Sequence, residues 1–181
     1  MRLYLAGPDV FLPDPYNRAA TLKSHCATHG LTGVSPLDDL LGEPAEWANL
    51  PEAHRIARRN EAHIASCHAL VANLTPFRGP SADAGTVFEL GFMRALGRPV
   101  FGWTNDATLF ADRTRAFAGV AGDRDGDAMQ IEDFGLADNL MIEAAIIASG
   151  GTLTRHSCPS HQRWQSLEAF TACLAAVKAS L

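Results

Sequence analysis

The chain has 181 residues, 47% hydrophobic and 19% charged, enough apolar material for one substantial core within the ordinary single-domain size range. A formal charge of −5 and a pI near 5.7 exclude a sequence-wide positive field, and with it broad attraction to a nucleic acid polymer or an anionic membrane surface. No stretch approaches ~20 consecutive apolar residues, the opening residues lack a signal-type apolar region, and Cys26, Cys67, Cys158 and Cys173 show no CxxC spacing, so the expectation is one cytoplasmic domain, residues 1–181, with free thiols.

Arg2 to Ala6 is a short apolar run that stops at Gly7-Pro8-Asp9, a strand running into turn chemistry. From Tyr16 to His29 apolar residues recur at helical spacing, with Gly30 as the stop; Thr32 to Ser35 is a second strand. Pro36 to Pro51 has no period and reads as a long loop near the site. Ala53 to Ser66 has helical composition, His68 to Leu74 is a buried-strand run, and Thr75 to Ala82 is a Pro/Gly/Ser loop. A helix over Ala84 to Leu96 ends at Gly97, and Pro99 to Trp103 is the next strand. Asn105 to Glu132, rich in Gly and Asp, reads as an excursion from the sheet, and Asn139 to Ser149 and Ser160 to Ala179 as closing helices.

Strands alternating with helices predict a parallel sheet of about five strands covered on both faces, an α/β flavodoxin-like three-layer sandwich. Ligands of such sheets bind beyond the carboxyl ends of the strands, which directs attention to Tyr4 with Gly7-Pro8-Asp9, to the loop leading into Glu89, and to the loop after Trp103. Glu89 stands out because it interrupts the apolar run Val87-Phe88-Glu89-Leu90-Gly91-Phe92-Met93, where a charge is costly unless used; Gly85, one turn earlier, leaves room for a substrate atom. An exposed Glu on an amphipathic helix is the competing reading. Asp83 suits a helix N-cap, but two carboxylates near one cleft also suit glycosidic chemistry. Tyr4 is either a core aromatic or a partner of a catalytic carboxylate. Neither His25/Cys26/His29 nor His156/Cys158/His161 has a recognised ligand spacing, so no metal is expected; there is no GxSxG, Walker or GxGxxG motif, and no cofactor is expected.

The segments Tyr4-Leu-Ala-Gly-Pro-Asp-Val-Phe11, Asn73-Leu-Thr-Pro-Phe-Arg-Gly79, Asp83-Ala-Gly-Thr-Val-Phe-Glu-Leu-Gly91 and Phe134-Gly-Leu-Ala-Asp-Asn-Leu-Met141 together resemble the nucleoside 2-deoxyribosyltransferase family. The resemblance implies a retaining double displacement, in which Glu89 attacks the anomeric carbon of a deoxynucleoside, the base leaves, and a second base, a free nucleobase, or water takes the deoxyribosyl group from the enzyme. It further implies that Tyr4 positions the Glu89 carboxylate, that Asp83 binds a sugar hydroxyl or assists proton transfer, and that Gly7, Asp9, Phe11, Asn60, Phe77, Arg78 and Gly85 line the substrate site, with Phe11 against the base. Asn139 and Met141 would complete the site of a neighbouring subunit, making the functional unit a homodimer or a larger homo-oligomer.

Many relatives carry an Asp where this chain has Asn60, so the proton for the leaving base must come from elsewhere, with Asp9, Glu61 and Asp83 as candidates. Two rival readings are weighed. A 2'-deoxynucleoside 5'-monophosphate N-glycosidase would need a phosphate pocket, which an acidic Asp9 would oppose and Arg78 would favour. A non-catalytic nucleotide-binding module on the same fold is disfavoured by the joint presence of Tyr4, Asp83 and Glu89.

Overall fold

The computed structural model describes residues 1–180. Five strands, β1 (Arg2–Ala6), β2 (Thr32–Val34), β3 (Ala69–Asn73), β4 (Val100–Thr104) and β5 (Leu153–Arg155), form one all-parallel sheet in the order β2-β1-β3-β4-β5. Six α-helices surround it: α1 (Pro15–Thr28), α2 (Glu52–Ser66), α3 (Ala84–Ala95), α4 (Phe110–Ala118), α5 (Leu140–Ala148) and α6 (Glu168–Ala179). This is the flavodoxin-like sandwich that the alternation of elements predicts.

The residues of β1 and β4 alternate between the faces. Leu3, Leu5, Phe101 and Trp103 pack with Leu22 and Cys26 of α1 and Phe170, Cys173, Leu174 and Val177 of α6. Tyr4, Ala6 and Val100 face the other way, onto Ile64 of α2, Leu90 and Met93 of α3, and Ile142 and Ile146 of α5. Because successive strand side chains point to opposite faces, this parity sends Tyr4 toward α3, where Glu89 resides. The chain leaves β1 toward β2 on one side and reaches β3 on the other, so the crevice at the carboxyl ends of β1 and β3 is the topological switch point of the sheet.

Three features differ from the sequence reading. β5 falls between the two expected closing helices: on an edge of the sheet, it has Leu153 and Thr154 partly buried and Arg155 exposed, and it gives no apolar run to read. Gly151 lets it dock, since a Cβ there would stand 1.7 Å from the Val100 carbonyl oxygen. The expected helix from Ser160 instead begins at Glu168, after a 3-10 turn at Ser160–Gln162. The excursion after β4 contains a true helix, α4, which ends at Gly119 with a left-handed φ of 69°. No helix among the described residues is long and apolar enough to cross a membrane.

Candidate active site

A cavity of about 330 Å³ opens at the switch point. Gly7, Val10 and Phe11 from the segment after β1 line it, as do Pro36 and Leu37 after β2, Ile56 and Asn60 of α2, and Asp83, Gly85, Thr86 and Glu89 at the start of α3. Gly7 has extended backbone, and its role is steric: a Cβ would come within 2.7 Å of both Asn73 Cβ and Asp9 Oδ2.

Glu89 is 9% exposed, and Tyr4, fully buried beneath it, donates its hydroxyl to Oε1 at 2.6 Å. Asn60 Nδ2 approaches the same oxygen at 3.4 Å. Both donors therefore serve Oε1, and Oε2 has no hydrogen-bond partner among the described residues yet is not sealed from solvent. Burial pushes the Glu89 carboxyl up to about 7; the Tyr4 hydrogen bond opposes the rise and the charge of Asp83 adds to it. Burial, and then the charge of Glu89, hold the Tyr4 phenol far above its ordinary range, so it stays a neutral donor.

Asp83 both caps α3 and lines the cavity. Its Oδ2 accepts from Thr86 N at 2.9 Å and Thr86 Oγ1 at 3.0 Å, leaving Oδ1 free of these bonds. At Gly85 an added Cβ would lie 3.1 Å from that same Oδ2, so a side chain there would crowd the carboxylate.

Asp9 does not line the cavity with Glu89. It is 8% exposed, its Oδ1 accepts from Arg18 Nε at 2.7 Å, and its Oδ2 accepts from Asn73 Nδ2 at 2.7 Å. The carboxylate is thus engaged within the protein, and the paired Arg18 offsets the charge that the sequence reading set against a phosphate. Glu61 likewise stands outside the cavity, in a half-exposed pair with Arg58 at 3.7 Å. Of the three carboxyls considered for proton transfer, Asp83 alone lines the cavity.

Beyond Phe11, which is 56% exposed, the site continues as an aromatic stack. The Phe77 ring lies parallel to Phe11 at 5.3 Å, and the Arg78 guanidinium sits over both rings, 5.1 Å from Phe11 and 4.5 Å from Phe77. Arg78 adopts a left-handed φ of 56°, a strained conformation for a residue with a side chain. Trp164, which sequence reasoning missed, meets Phe77 at a near-perpendicular 88° with the ring centroids 6.1 Å apart; a Trp 87 residues downstream of its partner gives no local signal.

Asn139 and Met141 lie elsewhere, on a groove of about 620 Å³ between α3 and α5. Asn139 caps α5 by accepting from Met141 N at 3.0 Å and donates to Glu132 at 2.7 Å, while Met141 is 69% exposed. Asp138 ties this corner to the loop before α3: it accepts from Ser81 Oγ and from Ala82 N, and it pairs with buried Arg113 at 3.5 Å.

The chain resembles known proteins along most of its length. A protein of Schizosaccharomyces pombe, uncharacterized, is 30% identical over 165 residues, covering 82% of this chain and 78% of its own. A 2-deoxyribosyltransferase of Leishmania mexicana is 28% identical, with a TM-score of 0.60 over 78% of this chain and 84% of its own. A conserved protein of Enterococcus faecalis shares the fold at 21% identity, with a TM-score of 0.57 and 97% of both chains covered. The family model for nucleoside 2-deoxyribosyltransferase matches residues 3–141, which contain every residue of the Glu89 cavity, and the chain belongs to that family.

Proposed function

We propose that the protein moves a 2-deoxyribosyl group between nucleobases through a covalent ester on Glu89. The observation that carries this reading is the division of labour on the Glu89 carboxylate: two donors hold Oε1, and Oε2 is left for the anomeric carbon. In the first half-reaction Oε2 displaces the base, and the C1'–N bond breaks as the C1'–O bond forms. In the second, a nitrogen of the incoming base attacks C1' and Glu89 leaves as a carboxylate. The two inversions give net retention.

Asp83, the other carboxylate on the cavity, accepts a sugar hydroxyl or takes part in moving the proton to and from the base. Phe11 offers the base a flat apolar face, backed by Phe77. Asn139 and Met141 open away from this cavity, on the α3/α5 groove, which supports a role in a second copy's site and a homo-oligomeric enzyme. Mixing Asn139→Ala with Glu89→Ala under subunit-exchange conditions then recovers activity; no recovery removes the shared site.

A hydrolytic reading on nucleoside monophosphates draws on one observation, that Arg78 makes no ion pair among the described residues and could meet a phosphate. One chromatographic experiment separates the two. Deoxyinosine with free adenine yields deoxyadenosine if the proposal holds. Free base released from deoxyadenosine 5'-monophosphate, with no transfer between nucleosides, overturns it.

A further inference from the structure

The residues from 142 onward lie outside the span matched by the family model, yet the segment between β5 and α6 reaches the candidate site. A closed circuit of buried and part-buried polar contacts holds it there. Arg18 Nε donates to Asp9, Asn73 Nδ2 donates to the other oxygen of Asp9, and Asn73 Oδ1 accepts from Thr75 N at 3.1 Å. Thr75 Oγ1 accepts from Asn105 N at 3.1 Å, and Asn105 Nδ2 donates to the carbonyls of Arg163 at 2.8 Å and Ser166 at 3.0 Å. Arg18 Nη1 closes the circuit at the Gln165 carbonyl, 3.5 Å away. The loops after β1, β3 and β4 are thereby fastened to the stretch that carries Trp164.

On the reading that the cavity holds a nucleobase, we propose that Trp164 is a specificity-determining positioning residue, which fixes Phe77, and through it Phe11, as the wall on which the base stacks. Trp164 does not line the Glu89 cavity; its ring meets the Phe77 ring in a T-shaped contact, and Phe77 lies flat against Phe11. A bicyclic base covers more of the Phe11 ring than a monocyclic one, so loosening the wall weakens purine binding more than pyrimidine binding.

The test measures affinity of the full chain for free adenine and free cytosine by titration calorimetry, beside transfer turnover and Tm. Trp164→Ala raises the Kd for adenine about three- to tenfold, the weight of one edge-to-face aromatic contact, with a smaller change for cytosine, unchanged Tm and unchanged kcat. Trp164→Phe, which keeps an aromatic edge, restores the adenine Kd. In a Phe77→Leu background, Trp164→Ala adds nothing, because its action passes through the ring already removed. An adenine Kd that does not change, a loss equal for both bases, or a fall of Tm and affinity together with no rescue by Phe overturns the proposal. Wild-type protein that binds adenine but makes no new nucleoside removes the transferase reading while leaving the Kd comparison to decide this one.

Discussion

The Glu89→Gln substitution separates what the buried carboxylate does for chemistry from what it costs the fold. The folded protein holds the Glu89 proton up to about pH 7, whereas an unfolded chain releases it near the ordinary 4.5. At ~1.36 kcal/mol per pH unit, carrying the buried charge costs the native state at most about 3 kcal/mol. The sign follows from the direction of the shift. Below about pH 4.5 both states are protonated and the site costs nothing; as pH rises toward 7 only the unfolded state gains by ionising; above 7 the full cost is present. Gln removes the charge and keeps the shape, since its carbonyl still accepts from Tyr4 and its amide takes the place of Oε2 at the cavity.

The variant should therefore be more stable than the wild type at pH 8, by up to about 3 kcal/mol, and no more stable at pH 4.5. For a chain of this length that is a rise in Tm of up to about 6–12 °C at pH 8. Its transfer rate should fall by several orders of magnitude, because an amide forms no glycosyl ester. Thermal unfolding by circular dichroism at pH 8, 6 and 4.5, beside turnover, reads both effects. A Tm difference that is flat across pH, or a wild type that is the more stable protein at pH 8, refutes the assignment of Glu89 as a buried, charge-strained carboxylate.

Tyr4→Phe deletes the hydrogen bond that holds the Glu89 carboxyl down, so the acidic limb of kcat/KM should move upward from about pH 7 by about one to two pH units. A limb that stays in place would falsify the coupling. Asp83→Ala loses the α3 cap and should cost about 1 kcal/mol together with turnover, whereas Asp83→Asn keeps a capping oxygen and should lose turnover alone. Full activity in Asp83→Asn would show that its charge has no chemical part. Asp9→Ala strands the buried Arg18 guanidinium and should destabilise the protein by about 3–5 kcal/mol, measured by urea unfolding; an unchanged midpoint would return Asp9 to the list of substrate contacts.

Glu89 was legible because helix α3 is otherwise apolar around it, and a charge in that setting advertises either an exposed face or a use. The strands β1, β3 and β4 were legible as compact apolar runs between Gly and Pro signals, for they are buried on both faces. Asp9 misled for a physical reason: its acidity is local, and its neutraliser, Arg18, comes from the far side of a turn and one helical turn into α1. Trp164 and β5 were invisible for a related one. Each acquires meaning only from a partner brought in by the fold, Phe77 for the ring and β4 for the edge strand, and neither segment carries a period of its own.

The ionisation of Glu89 depends on strand parity as much as on the residue itself. Tyr4 reaches Oε1 because even positions of β1 face α3; moving β1 by one residue would present Leu3 or Leu5 instead and bury the carboxylate with no hydroxyl donor. With Tyr4 in place, one oxygen is pinned and the carboxyl, poorly solvated by burial, stays close to half ionised near neutral pH, as the proposed nucleophilic role requires. Without it, the same burial would hold the proton on to higher pH and silence the group. Asn60 adds a second, longer contact to the pinned oxygen and, as an amide, cannot compete for the proton. The neutrality of Asn60 is therefore consistent with a site in which Glu89 is tuned by donors and Asp83 is left as the other carboxylate within the cavity.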